Sequence, residues 1–187
     1  MMEEKRLAYR MYFFVPYHLS DIQKGIQAGH AALEYAKRYK DDLDFMNFVF
    51  WDKTWVILDG GTSNDSHYGH IKGSMEEICN VLHNNGIKCT SFNEPDLNSA
   101  MTAICFLADE RVWNYEIYPT FVNYFLDIKL YPEAKEHMPP ENALALKIKS
   151  DKELQKLFPE YHVDWIKFIG GEKNVFLREL LKNQKLA

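Results

Sequence analysis

Special scaffolds are largely excluded by what this chain lacks. Only three of its 187 residues are cysteines: Cys79, Cys89 and Cys105. They sit in apolar surroundings with no paired spacing, so they read as reduced core thiols rather than a disulfide framework or thiolate metal site. No run of 18 apolar residues occurs, so no membrane span is expected. Residues 1–10 are charged and the apolar run after them is short, unlike a secretory signal, so the expected setting is cytoplasmic. No Gly-x-x-x-x-Gly-Lys-Ser/Thr stretch is present, which removes the P-loop route to phosphate. Gly60-Gly61-Thr62-Ser63-Asn64 therefore reads as a flexible loop. His67 and His70, near Asp65, have no fourth ligand, so no structural metal is expected.

A basic stripe is also missing. Residues 1–40 carry a net +3, residues 41–110 a net -9 and residues 111–187 a net +1, giving -5 overall. Extensive contact with a long nucleic acid needs a continuous cationic surface, and only the first forty residues have an excess of Lys and Arg. A small phosphate-bearing ligand remains compatible with this balance.

What is present is apolar and aromatic: 47% hydrophobic residues, of which Phe, Trp and Tyr make up 14% of the chain. That suits one α/β domain over residues 1–109 and a helical extension over 110–187, packed on it or on a partner subunit. Residues 9–15 read as a strand ended by Pro16. Residues 54–58 read as a second, buried strand, and 87–92 and 101–107 as a third and fourth. Residues 45–51 suit a short helix or a covering loop. Ser74 and Glu77 suggest a capping box for a helix closed by Asn84-Asn85-Gly86. The order favours a four-stranded mixed sheet flanked by helices. Further on, 119–128 suits a short helix, 131–140 a proline-rich connector, 150–158 a capped helix and 173–186 a final helix.

The stretch from Ser20 to Ala36 organises the rest. Ser20 and Gln23 form a capping-box pattern, and Asp21 suits the positive end of a helix dipole. Ile22, Ile26, Gly29 and Leu33 share one side at helical spacing, and that side is expected to pack on the sheet. Beside it run Gln23, Gln27, His30 and Glu34, either a polar wall of a pocket or a solvated flank.

Gln27-Ala28-Gly29-His30-Ala31-Ala32 resembles the Gln-x-x-His-Ala-Ala motif on the first helix of the type 2 peptidyl-tRNA hydrolase family. Lys53 ahead of Trp55-Val56-Ile57-Leu58 is similar to that family's lysine-led second strand. Glu94-Pro95-Asp96-Leu97, followed by Met101-Thr102-Ala103, resembles the acidic loop and last strand of divergent members. The resemblance covers about residues 9–107. It implies hydrolysis of the ester in peptidyl- or aminoacyl-tRNA with no cofactor, and a homo-oligomer. His30 would be the base or water-positioner and Glu94 its orienting acid. Lys24 and Lys53 would hold phosphate, Gln23 and Gln27 would shape the pocket, and Asp96, Asn98 and Thr102 would line it.

Two departures from the family leave a second reading open. The Thr-Gln pair of the family's acidic loop is absent, and Gln23 stands where the family has a lysine, with Lys24 one residue later. In the second reading the fold is kept, catalysis is lost, and the pocket binds or sequesters a small signalling nucleotide. Compact members with long tails also look like proteins of tailed bacteriophages, where such a task fits. A third, weaker reading places the function in partner binding by the tail. For His30 itself, the competing reading is a helix histidine packed in the core.

Overall fold

The alternation within Tyr9–Val15 decides the layers. Met11, Phe13 and Val15 point to one face of this strand, β1, and Tyr12 and Phe14 to the other; all five are buried. A strand covered on both faces belongs inside a sheet with helices on each side. The computed structural model describes residues 6–63, 73–126 and 151–187 and has that arrangement. Beside β1 lie β2 (Thr54–Asp59) and β4 (Ala100–Asp109), and β3 (Cys89–Glu94) lies beyond β4, giving the order β2-β1-β4-β3. β2 is parallel to β1, while β4 is antiparallel to both β1 and β3. The fold is thus α/β with a mixed four-stranded sheet flanked by helices. Among the described residues no helix is long and apolar enough to cross a membrane.

Helix α1 (Asp21–Tyr39) covers one face. The Ser20 hydroxyl caps Gln23, and the Gln23 side chain returns to the Ser20 amide, completing the capping box. The buried side of α1 is Gln27, Ala28, Ala31 and Tyr35, packed with Met11, Phe13, Val15 and Cys105. This overturns the expected packing side: Ile22 is 77% exposed, Ile26 50% and Leu33 69%. Small residues inward let helix and sheet approach closely. The Thr90 hydroxyl and the Cys105 thiol both donate to the Ala31 carbonyl, at 3.2 Å each.

After α1, helix α2 (Leu43–Asn47) and a wide π-type turn (Phe48–Asp52) bury Phe45 and Phe48 against Tyr35 and its neighbours. The turn leaves Lys53 in the left-handed region at φ 54°. β2 is an edge strand with Thr54 and Trp55 exposed, not the buried strand the sequence suggests. Part of its outer edge is paired: the Asp59 amide donates to Lys185 at 3.0 Å, and the Ala187 amide to Ile57 at 3.1 Å. The last residues are therefore not part of the final helix.

Helix α3 (Ser74–Asn84) buries Met75, Cys79 and Leu82. Gly73, not Ser74, is its cap residue. The Ser74 hydroxyl is engaged elsewhere, donating to the Gly60 carbonyl at 2.7 Å and accepting from the Thr62 amide at 2.8 Å. Gly61, at φ +78°, donates its amide to Asp59 Oδ1 at 2.7 Å. Asn64, Asp65, His67, His70, the connector at 131–140 and Ser150 lie outside the described residues.

Residues up to Glu110, with Glu179–Ala187, make one compact unit, and Arg111–Arg178 a second. The second unit holds α5 (Phe121–Asn123), α6 (Asp151–Leu157), α7 (Pro159–Phe168) and the start of α8 (Glu172–Leu181); α4 (Glu110–Trp113) leads into it. Helix α7 was not anticipated: Pro159 opens it, where a proline's missing amide is harmless. Phe121, Phe125, Leu154, Trp165 and Ile169 form the core. Buried Arg178 donates to the carbonyls of Arg111 (2.7 Å) and Tyr118 (2.9 Å) and lies 4.2 Å from the Tyr115 ring.

Candidate functional site

The inward flank of α1 meets the end of β3 and the start of β4 through side chains that a greasy packing layer would not use. Thr102, 2% exposed, donates its hydroxyl to Gln27 Oε1 at 2.6 Å. The amide of Gln27 in turn donates to Glu94 Oε2 at 2.7 Å. Three residues from different elements thus form one relay, and a buried amide is satisfied on both ends. The relay also anchors the Glu94 carboxylate on the helix.

His30 lies one turn further along α1. Its ring centroid is 4.5 Å from that of Phe92, two residues before Glu94 on β3, with the planes tilted by 55°. The helix motif and the acidic strand end are therefore neighbours on one face of the sheet. Among the described residues no carboxylate holds the imidazole, however. Its Nδ1 is buried and has no hydrogen-bond partner among the described residues. Glu94 is bonded to Gln27 instead, and Glu34 is paired with Lys37 at 3.6 Å. A general-base histidine needs a partner on its second nitrogen to fix tautomer and orientation, and none is in place among the described residues.

The remaining candidates divide by position. Gln23 is taken up in the capping box, and Lys24 pairs with Asp21 at 3.6 Å on the same helix. Asp96 is exposed in the short 3-10 turn Pro95–Leu97, and Asn98 follows it in the left-handed region at φ 52°. The turn is held by the Ser99 amide on the Glu94 carbonyl at 3.0 Å. In the glycine loop the amides of Gly61 and Thr62 are already used, by Asp59 and Ser74.

Lys53 belongs to a different feature. It borders an open cleft of about 550 Å³, with Ile26, Gly29 and Leu33 of α1 on one side and Phe45, Phe48, Val49 and Trp55 on the other. His30 also borders it, so the cleft and the relay share a neighbour. The lining is nearly all apolar, and Lys53 makes no ion pair among the described residues. The Trp55 ring packs on Phe13, with centroids 4.7 Å apart. A volume in the hundreds of cubic ångströms, apolar walls and few polar groups are the usual marks of a small-molecule site. Trp55 reads from sequence as part of a buried strand and 45–51 as a short helix or a covering loop, neither of which marks them as walls of a cleft. The available signal was the density of large apolar residues around an edge strand that cannot bury them all.

A scan against protein-family models gives no match to this chain, and a search of curated proteins gives none either.

Proposed function

We propose that this protein is a relative of the type 2 peptidyl-tRNA hydrolases that binds a small nucleotide-like ligand without hydrolysing it. The observation that carries this reading is the partner of Glu94. The carboxylate expected to orient His30 accepts from Gln27 at 2.7 Å, while His30 Nδ1 has no partner among the described residues. An ester hydrolase of the expected design needs the opposite assignment. Binding needs less: a flat ring against Trp55, Phe45 and Phe48, and one cation, Lys53, for a phosphate. The acidic balance of residues 41–110 also disfavours a long tRNA contact.

Calorimetry of the full chain against nucleoside mono-, di- and cyclic phosphates tests this. Trp55→Ala should weaken binding by about 1–3 kcal/mol, the usual worth of one base stacked on one aromatic ring. Lys53→Ala should weaken it in a salt-dependent way. Absence of binding to every member of the panel would defeat the proposal.

Hydrolysis of peptidyl-tRNA is retained as the second reading on one observation. The Gln-x-x-His stretch and Glu94 are joined directly across elements 67 residues apart. Release of tRNA that is lost in His30→Ala would favour it.

A further inference from the structure

Three cysteines allow three disulfide pairings, and the sheet decides between them. Successive side chains of a strand point to opposite faces. Thr90 points to the α1 face, where its hydroxyl donates to the Ala31 carbonyl, so Cys89 beside it on β3 points to the other face. Cys105, the residue opposite Thr90 in the β3–β4 register, donates to the same carbonyl and therefore lies on the α1 side. Cys79 belongs to α3, which packs on the face that Cys89 points to: its Met75 meets Gly60 beside Phe14, away from the α1 layer. Cys79 and Cys89 thus share a face, where their thiols share a hydrogen bond, and Cys105 is across the sheet from both. We propose that Cys79 and Cys89 are a modification site: a hydroperoxide oxidises Cys79, and Cys89 closes a reversible disulfide between α3 and β3.

Exposure and neighbours assign the two roles. Cys79 is 7% exposed, whereas Cys89 and Cys105 are 0% exposed, so a small oxidant meets Cys79 first. His83, an exposed residue one turn along α3, holds its Nδ1 3.6 Å from the Cys79 sulfur. This ring and the bond from Cys89 favour thiolate at Cys79, while burial and the same bond keep Cys89 a thiol. An activated thiolate beside a second thiol is the arrangement of a sensing cysteine and its resolving partner. The spacing of the pair is fixed by the turn that joins α3 to β3. There the Gly86 amide donates to the His83 carbonyl at 2.9 Å and the Ile87 amide to the Leu82 carbonyl at 3.0 Å.

In the first step the Cys79 sulfur attacks one oxygen of the hydroperoxide. The O–O bond breaks, Cys79 becomes a sulfenic acid, and the other oxygen leaves with a proton as an alcohol, or as water from hydrogen peroxide. In the second step the Cys89 sulfur attacks the Cys79 sulfur. The S–S bond forms, the S–O bond breaks, and the departing hydroxide takes the Cys89 proton as water. Two thiols are oxidised to one disulfide and one hydroperoxide is reduced. The proposal is independent of what the cleft binds.

Intact-mass spectrometry of the full chain, first reduced and then treated with equimolar hydrogen peroxide, tests it. The expected product is a single chain lighter by two hydrogen atoms, returned to its starting mass by dithiothreitol. Trypsin cuts after Lys88 and chymotrypsin after Phe92, so digestion without reduction separates all three cysteines and identifies the joined pair. Cys105→Ala should leave the bond intact. Cys89→Ala should lose it and hold a sulfenic acid at Cys79, trapped by a 1,3-diketone reagent. A native chain that keeps three free thiols under this treatment overturns the proposal. So does a bond that includes Cys105 or joins two chains. These outcomes are read on the native chain, so they decide the matter even where a variant fails to fold.

Discussion

Two helices cover opposite faces of one sheet, and they do so by opposite rules. Helix α3 turns Met75, Cys79 and Leu82 inward, as an amphipathic helix should. Helix α1 turns Gln27, Ala28, Ala31 and Tyr35 inward and leaves Ile22, Ile26 and Leu33 outside. α3 thus behaves as cover. The inward side of α1 is close-packed through small residues and pinned by the Gln27 relay, and its apolar stripe lies on the outward side. In α1, periodicity identifies the apolar stripe Ile22, Ile26, Gly29 and Leu33, but it does not say which way the stripe faces.

The comparison is broken most severely by truncating one apolar residue on each helix. Leu82→Ala, at a site with no exposure, should cost about 2–5 kcal/mol, the range for emptying a buried leucine position. Leu33→Ala, at a site 69% exposed, should stay within about 0.5 kcal/mol. Urea denaturation midpoints of the two variants decide this; equal losses would mean that Leu33 is buried after all.

The inward polar set of α1 gives the next largest effect. Gln27→Leu removes a partner from both Glu94 and Thr102 and should cost about 1–3 kcal/mol for the unsatisfied groups. Thr102→Val in the same chain should add less than it does alone, because the relay is already broken. Full additivity in a double-mutant cycle would show that the three side chains do not act together.

Acid titration gives a smaller effect. The Arg6 guanidinium, bonded to Asp52 at 2.7 and 2.9 Å, holds that carboxyl below its ordinary range, with the Tyr9 amide helping. Burial pushes the Asp42 carboxyl up, but bonds from Lys88 and from the amides of Phe45 and Asp44 outweigh it, so the net shift is down. Both folded-state values lie below the unfolded ones. Their stabilisation is therefore full above the ordinary carboxylate range and is lost as pH falls through the folded values. Arg6→Ala and Lys88→Ala should each move the acid-unfolding midpoint to higher pH, followed by circular dichroism. An unchanged midpoint in both would remove these pairs from the account.

The mildest contrast lies among the thiols under the two helices. On α3, a hydrogen bond from Cys89 lowers the Cys79 thiol below its ordinary value against the effect of burial, and the nearby His83 helps; its Nδ1 is 3.6 Å from the sulfur. Beneath α1, burial pushes Cys105 up to about 12. Cys89 is also raised, by its bond to Cys79 and by burial. Alkylation followed by peptide mapping should label Cys79 first at neutral pH, and His83→Ala should slow that labelling. Earlier labelling of Cys105 would reverse the assignment.

The fold class was legible because it depends on local signals. The apolar run at 9–15 ended by Pro16, the Ser20–Gln23 box and the glycine turn at Gly86 all act within a few residues. The orientation of α1 was not legible, since it depends on what β3 and β4 offer across the sheet: Thr102 and Glu94 for Gln27, and Thr90 and Cys105 for the Ala31 carbonyl. The capping reading at Ser74 failed for a similar reason, because the hydroxyl serves the Gly60–Thr62 loop. Helix α7 escaped notice because Pro159 was read as a stop rather than a start. Of the site, the neighbourhood of His30 and Glu94 was read from the motifs. The actual hydrogen-bond assignment among Gln27, Glu94 and Thr102 is a property of packing, which spacing does not encode. The apolar cleft depends on β2 lying at the sheet edge, a matter of strand order.

The central claim is that, among the described residues, Gln27 of α1 holds Glu94 and Thr102 on the sheet and no carboxylate partners the His30 ring. Incubation of the full chain with peptidyl-tRNA, with release of free tRNA followed over time, tests it most directly. The expected rate is no higher than in buffer, and the same for His30→Ala and Glu94→Gln. Release well above buffer that both substitutions abolish would contradict it.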